Sequence, residues 1–368
     1  MNVFRSRPAL RWLVPTAAAV VVIGGGAAAG TIVASAEPSL PERSAAQLLV
    51  DVQNAKVDGL SGTVVQTADL GLPSLPGLSG GAGGVDIMKL VAGSNTARVW
   101  YAGEDKARFA LMGTLGETDV IRNGSDVWMW RSSDSSATHF KLPAPGKDHK
   151  PAALPTGVPS TPQEAADAAL AAIDPSTAVS TTGAAKVAGR NAYELVLTPR
   201  DTASLVGQVR LAIDAKQHIP LGVDVYAKGA NAPAFRVAFQ QVSFDVPDAE
   251  QFNFNPPPGT KVNEPTKADI DKKRAEAEHS AAKRPEAPAG TKVVGEGWTA
   301  VVVAKLPAGD GAQRGQLDGL VNTLPKVSGA WGSGHLLSSA LFSALVTDDG
   351  RVLVGAVAPE KLYEAAGK

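Results

Sequence analysis

The sequence predicts an α+β protein: one antiparallel sheet accompanied by a few helices, then a small C-terminal α/β module. Short segments of alternating apolar residues recur about every ten positions, with turn residues between them, which is the signature of consecutive antiparallel strands. Only a few segments carry the three-and-four spacing of a helix face. Gly and Pro together supply 64 of 368 residues (38 and 26), so turns are frequent.

The chain starts with a basic stretch (Arg5, Arg7, Arg11) without acids, continues through an apolar run from Leu13 to Val33, and exits through Ala34-Ser35-Ala36. Those are the three parts of a secretory signal. Residues 1–36 are therefore expected to be an export segment, cleaved after Ala36 or kept as an anchor, since about 20 apolar residues span a bilayer. There is no twin-arginine pair, and the absence of any cysteine excludes lipidation at a signal-peptide cysteine, disulfides and thiolate metal sites. The rest is read as extracytoplasmic: secreted, or tethered to the outer side of the cytoplasmic membrane. The net charge is −1 with no long basic tract after the export segment, which argues against nucleic acid as a partner.

Ser44–Lys56 has apolar residues at Leu48, Leu49 and Val52, spaced for one helix face, with Ser44 as N-cap and Gly59 as stop. Ser61–Ala68 reads as a strand. Asp69–Gly84 (DLGLPSLPGLSGGAGG) is a Gly- and Pro-rich loop that nevertheless presents Leu70, Leu72, Leu75 and Leu78. Apolar side chains on such a loop are either tucked away or await an apolar partner. Strands are expected at Ala97–Ala102, Lys106–Met112, Thr118–Arg122, Asp126–Arg131 and Ala137–Leu142, with a hairpin turn centred on Asn123-Gly124. After the Pro-rich stretch 143–160, Thr161–Ile173 reads as a helix capped by Thr161 and Glu164. Strands resume at Ala178–Val187, Asn191–Leu197, Gly207–Ile213, Leu221–Ala227 and Ala234–Phe244. Residues 263–290 are charged, Ala-rich and without an apolar face, which suits a linker or a solvated helix. Residues 291–368 form the separate module: a strand at Trp298–Lys305, a helix at Gln313–Leu324, a hairpin of Leu336–Val346 and Arg351–Val357 turning at Asp349-Gly350, and a helix at Pro359–Ala366.

A search for chemistry yields little. The histidines (His139, His149, His218, His279, His335) have no metal-ligand spacing. Gly332-Ser333-Gly334-His335 lacks the leading glycine of a nucleophile elbow and reads as a turn. Glu104-Asp105 and Asp348-Asp349 lie at turns, where burial cannot push carboxyl pKa values apart. No catalytic residue, metal or cofactor is expected. The aromatic residues say more. Trp128 and Trp130 share one side of their strand and Met129 takes the other; Val99 and Tyr101 likewise oppose Trp100. Two arrangements fit: a sheet covered by helices on one side with some aromatics exposed, or a curved sheet whose concave face is an apolar cavity closed by helices and the leucine loop.

VDGLSGTVVQTADLGLP (Val57–Pro73), DVIRNGSDVWMWRSSDSSATHFKLP (Asp119–Pro143), YELVLTPRD (Tyr193–Asp201) and VRLAIDAKQHIPLGVDVY (Val209–Tyr226) together resemble the LolA/LolB/RseB superfamily. The likeness is greatest to its actinobacterial exported branch of lipoprotein-carrier-like or sigma-factor-regulator-like proteins. It covers about Ser44–Val262. The long leucine loop and the C-terminal module depart from the family pattern. The resemblance implies an unclosed, curved antiparallel β-barrel over residues 44–262, a LolA-like half-barrel with covering helices. It also implies a non-enzymatic carrier or sensor that holds lipid or lipoprotein acyl chains, or alternatively an RseB-like regulator that docks on a membrane anti-sigma factor. Trp100, Phe109, Leu111, Trp128 and Trp130 are the expected lining of the cavity, and Leu72, Leu75 and Leu78 its lid.

Overall fold

The computed structural model describes residues 40–72, 93–113, 116–142, 162–173, 175–266, 291–305, 319 and 321–367. The export segment, Leu75 and Leu78 of the leucine loop, the cap of the second helix, and most of both the linker and the Gln313–Leu324 helix lie outside the described residues.

Helix α1 (Ala45–Asn54) begins where Ser44 caps it. The Ser44 hydroxyl accepts from the Gln47 N–H at 3.2 Å, while the Gln47 amide oxygen accepts from the Ser44 N–H at 2.9 Å. This capping box satisfies two otherwise orphaned donors. The helix stops at Asn54, short of the expected end. Gly59 serves another purpose: a Cβ there would run into the backbone of Val246.

The strands that follow are β1 (Leu60–Ala68), β2 (Gly93–Tyr101), β3 (Lys106–Gly113), β4 (Gly116–Asn123), β5 (Asp126–Arg131) and β6 (Ser136–Lys141). After helix α2 (Pro162–Ile173) come β7 (Thr177–Val187), β8 (Arg190–Pro199), β9 (Val206–Asp214), β10 (Pro220–Ala227), β11 (Pro233–Ser243) and the short β12 (Lys261–Asn263). They form one sheet in the order β12-β6-β5-β4-β3-β2-β1-β11-β10-β9-β8-β7, antiparallel except for β12 against β6.

The end strands β12 and β7 do not pair, so the barrel is unclosed. It is nevertheless strongly curled. Strands β7 and β11 come within 8 Å of each other at Cα although three strands lie between them; a flat sheet would hold them about 19 Å apart at ~4.8 Å per strand. Small residues permit the curl. Ala185, Ala192, Ala212 and Ala238, from four different strands, share one buried cluster with Val187 and Leu221. At Gly222 a Cβ would sit 2.7 Å from that of Ala238. Helices α1 and α2 pack on the opposite face, where Leu48 meets Tyr193 and Ile213, and Leu49 meets Ala166 and Leu195.

The hairpin turn between β4 and β5 falls one residue later than expected. Asn123 pairs with Asp126, and the loop is Gly124-Ser125, with positive φ (64°) only at Gly124. Glycine at the first loop position suits a type II′ turn. The turn with both central residues at positive φ is Ala188-Gly189 (50° and 76°), between β7 and β8.

A second sheet, in the order β13-β14-β18-β17-β16-β15, contains β13 (Lys292–Val294), β14 (Val301–Lys305), β15 (Lys326–Gly329), β16 (Gly332–Ser338), β17 (Ser343–Thr347) and β18 (Arg351–Gly355). Helix α3 (Pro359–Ala366) covers one face of it through Leu362, against Val301, Val303, Leu345 and Leu353. The expected strand Leu336–Val346 is two strands, broken where the Ser339 hydroxyl donates to the Phe342 carbonyl at 2.9 Å. Gly332-Ser333-Gly334-His335 is not a turn but part of β16; Gly334 is needed because a side chain would strike the Val346 backbone. The strand expected from Trp298 starts at Val301, after a single 3-10 turn at Gly297–Thr299.

The two sheets are joined by more than the linker. The Leu205 N–H donates to the Ala356 carbonyl at 2.8 Å, the Trp298 indole to the Thr177 hydroxyl at 2.7 Å, and the Ala340 N–H to the Leu70 carbonyl at 2.8 Å. Ala340, Leu341 and Phe342, between β16 and β17, pack against the buried cluster of Ala68, Leu70 and Ala234, as does Leu72 at the root of the leucine loop.

Candidate functional site

Register divides the expected lining residues between two faces. Trp128 stands opposite Ile121 and His139, Trp130 opposite Asp119, and Trp100 opposite Arg108 and Ser61. Followed across the strands, this is the face of the alanine cluster. Phe109 stands opposite Val99 and Val120, and Leu111 opposite Ala97 and Thr118. That is the other face, the one on which α1 and α2 sit further along the sheet. The five residues therefore line no single surface: successive side chains of a strand alternate sides, and Phe109 and Trp100 have opposite parity.

The tryptophan face is partly covered by the chain that follows β11. Phe252 is buried, and the Phe254 ring lies 5.2 Å from that of Trp128 and 6.0 Å from that of Trp130. His139 stacks on Trp128 at 4.1 Å with a 10° interplanar angle, and its Nε2 is 2.8 Å from Asp126 Oδ1. Trp128 and Trp130 are thus anchors for this strap.

The opposite face is partly exposed over β2–β5: Val99 and Phe109 are half-buried, and Ala97 and Val127 on the same face are buried. Val99, Phe109, Val120 and Met129 stand side by side in one row, with Gly62 of β1 at its end. Val120 is 38% exposed and Met129 43% exposed. Five strands at ~4.8 Å spacing make this row about 19 Å long, comparable with an extended acyl chain. Leu111 and Tyr101 flank it on the same face. Alternation in the sequence already sets Val99 and Met129 opposite the tryptophans; Phe109 and Leu111 of the expected lining share their face, whereas Trp100, Trp128 and Trp130 lie on the other.

The alanine face also carries buried charge. Arg210, Asp224 and Arg236 are direct neighbours on β9, β10 and β11. Arg236 Nε lies 3.3 Å from Asp224 Oδ1, and Arg210 Nη1 lies 3.7 Å from Glu194 Oε2. Asp224 is fully buried; burial pushes its carboxyl up to about 6, with Arg236 pulling the other way. Burial likewise raises the Glu194 carboxyl, against Arg210. Among the described residues no group of three His, Cys, Asp or Glu could hold a metal ion. No described helix is long and apolar enough to cross a membrane.

Together these features describe a curled, unclosed antiparallel sheet whose helix-bearing face carries a partly exposed apolar row over β2–β5. Solved structures similar to this chain include the MucA/MucB complex of Pseudomonas aeruginosa (13% identity, 88% of this chain and 96% of that one, TM-score 0.40). Another is MucB in complex with MucA(peri) (14% identity, 88% and 97%, TM-score 0.40). A LolA superfamily protein from Nitrosomonas europaea aligns at 12% identity over 58% of this chain and 99% of that one, with a TM-score of 0.20. No family model and no curated protein matches the sequence.

Proposed function

We propose that this protein is an extracytoplasmic, non-enzymatic carrier or sensor that holds an acyl chain of a lipid or lipoprotein along the helix-bearing face. The observation that carries this reading is the apolar row Val99–Phe109–Val120–Met129, exposed at Val120 and Met129 and half-buried at Val99 and Phe109. Such a row is costly to leave in water and is the right shape for an unbranched chain. Burial of about a dozen methylenes at ~0.8 kcal/mol each would supply roughly 10 kcal/mol before the entropic cost of association. Leu111 and Tyr101 would widen the seat. Of the lid leucines, Leu72 packs against Ala68, Leu70 and Ala234 at the other end of β1.

Delipidated protein titrated with a long-chain fatty acid or a phospholipid should take it up, as read by native mass spectrometry. Val120→Asp and Met129→Asp replace exposed side chains, so folding should survive while uptake falls sharply. Absence of uptake by the delipidated wild type, or equal uptake by both variants, would sink this reading.

A further inference from the structure

The tryptophan face has a groove that the acyl-chain reading does not use. It lies where β1 meets β2 and β11, beside the irregularity between Thr63 and Val64 that lets β11 carry an additional residue. Its volume is about 310 Å³, and its side-chain groups come from Ser61, Thr63, Arg98, Trp100, Gln241 and Ser243. The register places Ser61 next to Trp100 and Thr63 next to Arg98 on β2, and Ser243 and Gln241 on the β11 side. All six thus converge on one face.

Two guanidinium groups, Arg98 and Arg108, and two carboxylates, Asp119 and Glu117, share this face; burial raises the Glu117 carboxyl, and both arginines pull it down against that burial. The Trp100 ring has two guanidinium groups at 5.2 Å from its centroid, Arg98 and Arg108. Arg108 is neutralised by Asp119 at 2.5 Å. Arg98 is exposed and has no described carboxylate within ion-pair distance; the Glu117 carboxyl feels its charge only at longer range. Stacking on Trp100 orders its fork without consuming its donors, since a cation–π contact uses the charge and leaves the N–H groups free. The side-chain groups of Ser61, Thr63 and Gln241 likewise bond to no other described residue, whereas the Ser243 hydroxyl donates to Asp245 at 2.7 Å.

We infer that this groove is a phosphate-binding site. Arg98 supplies a bidentate fork, and the hydroxyls of Ser61 and Thr63 with the Gln241 amide supply further donors around it. Donors from four residues match the several terminal oxygens of a phosphate better than the two of a carboxylate, and guanidinium is suited to planar, paired contacts with phosphate. The phosphate has two available sources, free phosphate and the headgroup of a phospholipid. The inference does not rest on the acyl-chain reading, because the sheet itself separates the groove from the apolar row.

The test is calorimetric titration of the full chain with inorganic phosphate and, separately, with a short-chain phosphatidylglycerol kept below its micelle concentration. Saturable phosphate binding is expected, weakened roughly tenfold or more by Arg98→Gln and less by Thr63→Val. Arg131→Gln, which changes an exposed arginine on another strand, should leave it unaffected. Binding of the phosphodiester with the same Arg98 dependence assigns the groove to a headgroup; binding of inorganic phosphate alone assigns it to free phosphate. No saturable binding of either probe by the wild type, or equal binding by wild type and Arg98→Gln, overturns the inference. Circular dichroism of Arg98→Gln separates a lost site from a lost fold.

Discussion

Asp224 makes the fold sensitive to pH in a direction opposite to that of most carboxylates. Its side chain is fully buried and its pKa is raised from 3.8 to about 6. In the unfolded chain it ionises first as the pH rises, so between those two values the folded state holds the extra proton. Stability from this group is therefore complete below the unfolded value and is lost as pH climbs through about 6. The difference in pKa corresponds to ~3 kcal/mol. Asp214, Asp134 and Asp349 are shifted downwards and act in the opposite sense, so the raw pH profile mixes both. Comparison with Asp224→Asn isolates the contribution. Urea unfolding of both proteins from about pH 3.5 to about pH 7.5 should show the wild type losing roughly 3 kcal/mol relative to the variant. A difference that stays flat or grows with pH would refute the account, and would mean that Arg236 holds Asp224 ionised throughout.

Phe252→Ala should cost about 3–5 kcal/mol in the same assay, because the side chain is 1% exposed and pins the strap across the tryptophan face. Gly222→Val should cost at least ~1–3 kcal/mol, since even a Cβ would stand 2.7 Å from that of Ala238 where the sheet curls. Ser44→Ala should cost about 1 kcal/mol and raise amide hydrogen exchange in the first turn of α1, leaving β8 and β9 protected. Retained protection of that turn would mean that packing of Leu48 and Leu49, rather than the cap, holds the helix start.

The strands were legible because their signal is local. Asp126–Arg131 and Pro359–Ala366 lie where alternation and helix spacing place them, and the Ser44 cap announced itself. The shape of the sheet was not legible. Its curl comes from alanines on four strands that are far apart in sequence, each unremarkable alone, and from Gly222 in a strand interior. The candidate site was half legible. Alternation separates Trp128 and Trp130 from Met129, but which face stays open depends on Phe252 and Phe254, more than a hundred residues away in sequence. The buried pairing of Asp224 with Arg236 was likewise hidden, because only strand register brings those two together.

An unclosed barrel has two rims of unpaired backbone amides, and each is a template for fibre growth. Here both are blunted. One ends in β12, three residues long. The other, β7, has eleven residues, but its ladder is interrupted between Thr182 and Ala185, and there the Leu40 N–H donates to the Gly183 carbonyl at 3.1 Å. The Thr181 hydroxyl donates to the Arg43 carbonyl at 2.7 Å, and the Tyr193 hydroxyl to that of Pro41 at 3.0 Å. The few residues ahead of the first helix thus act as a guard rail, keeping the sheet from recruiting a strand from a neighbouring molecule. Trimming the chain back to Ser44 would uncover this rim and favour self-association, even with every strand of the sheet intact.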